Sequence, residues 1–128
     1  MITEDYVSFE TAKLLKEKGF NDSTDKQFNS DKIVGDYNIT DRARHPEKYL
    51  DAPTLQMARK WLRKEHKLHI EVVLNQDVQD EEAVIANHYH FNVSRLDRFA
   101  NEGGDCKFYN SYEEACEAAI KYCLENLI

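Results

Sequence analysis

Glycine, proline and tryptophan are scarce in this 128-residue chain: 4 Gly, 2 Pro and 1 Trp. So few breakers exclude a collagen-like or Pro/Gly-rich disordered chain, and there is no repeat or low-complexity tract. Long apolar runs are also missing. The longest is Ala83-Val84-Ile85-Ala86, far short of the roughly 18 residues of a membrane span. The opening residues, Met1-Ile2-Thr3-Glu4-Asp5-Tyr6, lack the basic-then-apolar order of a secretory signal. No G-x-S-x-G, P-loop, G-x-G-x-x-G or H-E-x-x-H is present, so the usual enzyme signatures are absent. C-x-x-C is absent too. The three cysteines, Cys106, Cys116 and Cys123, cannot all pair within one chain.

What remains is 41% hydrophobic and 32% charged, enough apolar material for one globular domain over residues 1–128. Seventeen Lys and Arg against 24 Asp and Glu leave a net charge of −7, which disfavours non-specific binding to nucleic acid or anionic membranes. A cytoplasmic protein with buried free thiols is the expectation, and no cofactor is called for. Cys116 and Cys123 lie seven positions apart, about 10.5 Å along a helix, too far for a disulfide.

Three helices are legible. Ser111-Tyr112-Glu113-Glu114 has the form of a capping box, and Ala115, Cys116, Ala119, Ile120, Cys123 and Leu124 follow as one apolar stripe. Ser8 is placed to cap a first helix, with Val7 stapling to Ala12 and Gly19 ending it. A third helix follows Pro53, with a face of Leu55, Ala58, Trp61 and Leu62. Strict alternation predicts strands over Leu68–Leu74 and Ile85–Val93, joined antiparallel through an acidic segment holding Asp77, Asp80, Glu81 and Glu82. A weaker hairpin is expected over Lys26–Asn29 and Lys32–Thr40, turning at Ser30-Asp31, and a short strand at Cys106–Tyr109. Thr40 to Ala52 reads as loop. The sum is an α+β domain: a small antiparallel sheet of three to five strands, with three helices mainly on one face.

Three blocks carry a resemblance. They are Asp5–Phe20 (DYVSFETAKLLKEKGF), Ala52–Ala58 (APTLQMA) with Trp61-Leu62-Arg63, and Ser111–Ile128 (SYEEACEAAIKYCLENLI). They resemble a family of small proteins of unknown function encoded by phages and mobile elements of gut bacteria. The resemblance implies a small accessory or host-interaction protein and supplies no catalytic residue. It treats the three helices as scaffold and the segments between them as the adaptable part.

Three constellations can carry function. Tyr and Phe total 13, and Tyr37, Tyr49, Phe99, Tyr109 and Tyr112 exceed what the apolar stripes need. Such a surplus either forms an exposed patch for a protein partner or covers the second face of the sheet. Arg59, Lys60, Arg63, Lys64 and Lys67 make residues 59–67 net +4, a row that could meet the phosphates of nucleic acid. More often such a row is a solvated helix face. His88 and His90, at i and i+2 of a strand, share a face and could pinch a metal, with His66 and His69 as further candidates. The leading expectation is a non-enzymatic accessory protein that binds a host or phage protein, or a second copy of itself. A nucleic-acid-associated regulator using the basic row comes second, and a metal- or small-molecule-binding protein built on the histidines third.

Overall fold

The computed structural model describes residues 2–75, 88–98 and 100–128. It is an α+β fold of four α-helices and two three-stranded antiparallel sheets. The chain divides into two compact units, Met1–Ala58 and Arg59–Ile128.

The first unit opens with α1 (Phe9–Glu17). The Ser8 hydroxyl accepts the Thr11 N–H at 3.2 Å, as its N-cap position predicts. The helix ends in a Schellman motif: Phe20 N–H donates to the Leu15 carbonyl, Gly19 N–H donates to that of Lys16, and Gly19 takes φ +105°. Strands β1 (Lys26–Phe28) and β2 (Val34–Asp36) form a hairpin at the expected place, but the second strand, expected to reach Thr40, ends at Asp36, and Ile39 and Thr40 start a helix. Its turn is a three-residue loop closed by a left-handed residue. Lys32 N–H donates to the Asn29 carbonyl, Asn29 N–H donates to the Ile33 carbonyl, and Lys32 has φ +61°. The Asn29 side chain accepts the N–H groups of Asp31 and Ile33 and braces the turn.

Residues 40–52 are not loop throughout. Asn38 caps a short helix, α2 (Ile39–Arg44), which is followed by a 3-10 turn (Pro46–Lys48) and then β3 (Leu50–Ala52). Helix α2 buries none of its residues, so it carries no apolar stripe to betray it. Arg42 moors it instead, bonding Gln27 at 3.1 Å and Asp51 at 2.7 Å. Strand β3 pairs with the second edge of β1 and so completes a sheet of order β2-β1-β3. Val7, Ala12, Leu15, Phe20, Phe28, Leu50 and Ala52 are buried, and Phe9 meets Phe28 edge-on at 5.5 Å.

Helix α3 (Leu55–His66) is capped by the Thr54 hydroxyl, which accepts the Met57 N–H; Pro53 therefore stands just outside the helix rather than in its first turn. In the second unit β4 (Leu68–Asn75) pairs with β5 (His88–Arg95) over eight register pairs, and β6 (Ala100–Gly103) lines the other edge of β5. The short strand expected at 106–109 is not formed: that segment contributes a single bridge, Tyr109 to Tyr89, and the strand that does form, β6, ends at the Gly103-Gly104 break. Ile85 and the acidic segment lie outside the described residues. Helix α4 (Tyr112–Asn126), capped by Ser111, lies over β4 and β5 and buries Ala115, Cys116, Ala119, Ile120, Cys123 and Leu124. The strands are thus shared between two sheets rather than gathered in one, because β1 finds its second partner in β3.

Candidate functional site

The sheet of the second unit has one greasy and one polar face, as period-two alternation requires. Leu68, Ile70, Phe91 and Val93 are buried. His69, Glu71, Val73, His88, His90, Asn92 and Ser94 occupy the other face. His88 is exposed and His90 half-buried, and both rings approach Phe108, at 5.8 and 6.1 Å. The His90 Nδ1 is shielded from solvent with no hydrogen-bond partner. Among the described residues, no group of three or more His, Cys, Asp or Glu side chains could hold a metal ion. His69 stands opposite Ser94, four residues along β5 from His90, which is roughly 13 Å of strand. The His66 ring packs against Trp61 at 4.8 Å. Neither joins the His88–His90 pair.

Phe108 reaches this face because of the chain before it. Gly104 crosses the Phe91 carbonyl so closely that a Cβ there would lie 2.4 Å from that oxygen. Cys106 takes φ +61°, and Asp105 accepts both the Lys107 N–H and the Tyr109 hydroxyl. Burial, with the Asp105 bond second, raises the Tyr109 phenol to about 12. Cys106 is exposed, against the expectation of three buried thiols.

The basic row does not act as a unit. Arg59 turns inward, donating to the Tyr112 hydroxyl at 2.6 Å and to the Ile70 carbonyl at 2.8 Å. Ile70 lies on the edge strand β4, so this guanidinium blunts an otherwise open edge. Lys60, Lys64 and Lys67 are exposed and Arg63 is half-buried. Lys67 folds back to the Lys64 carbonyl at 3.2 Å. Asp77, Asp80, Glu81 and Glu82 of the acidic connection lie outside the described residues.

Most of the aromatic surplus is internal. Tyr109 and Tyr122 flank Phe91, and Tyr112 meets Tyr89 edge-on at 6.3 Å. Tyr49 is half-buried with its hydroxyl on Asp41. Phe99 lies outside the described residues. Tyr37 remains outside, 41% exposed, with Arg42 over its ring. Two apolar side chains close to it in sequence are also exposed, Ile33 at 61% and Ile39 at 74%. Ile33 and Tyr37 bracket β2, the edge strand of the first sheet. Asn29 and Ile33 are a hydrogen-bonded pair, so alternation points the Val34 N–H and C=O to the outer edge. Gly35, between the bracketing side chains, leaves open space where a Cβ would stand. A strand edge that is unpaired among the described residues, with two apolar flanks and a gap between them, can accept a further strand, backbone to backbone. Sequence reading singled out Tyr37 but not Ile33 or Ile39; their only signal is apolar character with no periodic partner nearby.

No family model, curated protein or solved structure matches this chain.

Proposed function

We propose that this is a non-enzymatic accessory protein of the cytoplasm that works by binding another protein through the outer edge of β2. The observation that carries this reading is the β2 edge, unpaired among the described residues, with Ile33 and Tyr37 exposed at its two ends and Ile39 exposed just beyond. The partner supplies an extended segment whose backbone bonds to the Val34 edge and whose side chain fills the gap at Gly35. The net charge of −7 steers a basic partner toward the molecule. The resemblance to small proteins of phages and mobile elements is in keeping with a host or phage protein, or a second copy of the chain, in that role.

Two variants isolate the edge. Val34→Pro removes the outward N–H and leaves the bonds to β1 intact, since proline is tolerated on an edge strand. Ile33→Asp with Ile39→Asp charges the flanks. Affinity capture with mass spectrometry and light scattering are read on wild type, both variants and a Phe108→Asp control. The expected result is a partner, or a dimer, lost in both edge variants and kept in the control. A monomer without partner, or a partner indifferent to both edge variants, overturns the proposal.

A further inference from the structure

A cavity of about 480 Å³ lies in the first unit, between one side of α1, the β1–β2 turn and the chain around the 3-10 turn. Its volume is in the range of small-molecule sites. Four lysines line it, Lys13 and Lys16 from α1, Lys32 from the turn and Lys48, against two carboxylates, Glu17 and Glu47. In a chain of net charge −7 this is a local reversal of sign. Among the described residues none of the four lysines is in an ion pair, whereas Glu47 faces His45 at 3.8 Å. Lys13 and Lys16 stand three residues apart on one helix face, so both can address the same anion.

The turn supplies the second observation. Its last position requires a left-handed backbone, which glycine adopts without strain and side-chain-bearing residues do not. Lys32 occupies it at φ +61°, and its ammonium lies 5.1 Å from the centroid of the Phe9 ring at the cavity wall. The turn thus contributes a cation to the cavity lining, held against the Phe9 ring. Phe9, Tyr49 and Leu50 add apolar lining beside the charges.

We propose that this cavity binds a small phosphate ester carrying a flat ring, the chemistry of a mononucleotide or an aryl phosphate. The lysines hold the phosphate and the Tyr49 and Leu50 side chains receive the ring, beside Phe9, which carries Lys32. This site is separate from the β2 edge, so either assignment can fail alone.

Titration calorimetry on the full chain tests it with AMP, phenyl phosphate, adenosine and inorganic phosphate, at low salt and at about 0.15 M. AMP or phenyl phosphate should bind, adenosine should not, and inorganic phosphate should bind at least about tenfold more weakly than the esters. Lys13→Glu with Lys48→Glu should lower ester affinity at least about tenfold with Tm little changed, while Lys60→Glu, in the second unit, leaves it unaltered. Lys32→Gly discriminates best: it relieves the backbone, so Tm should rise while affinity falls. The proposal is overturned if no ester binds, if inorganic phosphate binds as well as the esters, if Lys60→Glu weakens binding as much as the cavity variants, or if Lys32→Gly raises Tm without loss of affinity.

Discussion

Cys116 and Cys123 are fully buried in the stripe of α4, where desolvation raises their thiols to about 11 and about 12. For Cys116 the nearby Arg59 opposes that shift and is outweighed. Cys106 stands in solvent. A thiol reagent at about pH 8 should therefore label one cysteine quickly and two only after unfolding, which mass spectrometry of the labelled peptides reads directly. The same shifts make stability depend on alkaline pH. The unfolded thiols ionise near 9 and the folded ones above it, so the fold binds the extra protons between those values. The contribution is complete below about pH 9 and is lost as pH climbs through about 11 and 12. Tm should fall over that window, and Cys116→Ala with Cys123→Ala should flatten the decline. An equally steep decline in the double variant would place the loss elsewhere, with Tyr109 the next group to examine.

The segment joining β6 to α4 depends on a glycine for steric rather than conformational reasons. Gly104 clears the Phe91 carbonyl only because it has no Cβ. Gly104→Ala must push the segment off β5, loosening the Tyr109–Tyr89 bridge, whose bonds are 2.8 and 2.7 Å, and shifting Phe108 from the histidines. The expected cost is about 1–3 kcal/mol, read as a lower urea midpoint. Ser111→Ala removes only the cap on Glu114 and should cost about 1 kcal/mol without disturbing Phe108. Both elements answer to backbone geometry, yet only the cap is written in a local motif. Ser8, Gly19 and Ser111 are legible because the groups they satisfy lie within a few residues. Gly104 is not, because the oxygen it avoids belongs to a strand thirteen residues earlier.

Across the whole molecule negative charge prevails, and the one basic row on α3 loses its first member to the interior, where Arg59 bonds Tyr112 and Ile70. No helix of the described residues is long and apolar enough to cross a membrane. Duplex DNA at about 0.15 M salt should accordingly show no binding by fluorescence anisotropy, and any low-salt signal should vanish steeply as salt rises. Binding that persists at that salt, and falls on Lys60→Glu with Lys64→Glu, would restore the basic row as a working surface.

By itself the sequence determined the α+β class, three amphipathic helices with the caps of two of them, the β4–β5 pairing and the place of Cys116 and Cys123 in a buried stripe, because each follows from periodicity or from partners a few residues apart; it did not foresee that Cys106 stands exposed. Tertiary structure alone decided that β3 completes a separate sheet, that Arg59 faces inward, and that Ile33, Tyr37 and Ile39 stay outside. It alone gathered Lys13, Lys16, Lys32 and Lys48 around one cavity. Such placements depend on which distant segment arrives to cover a side chain, and a strand of three residues or a helix with no buried face carries no period to announce it.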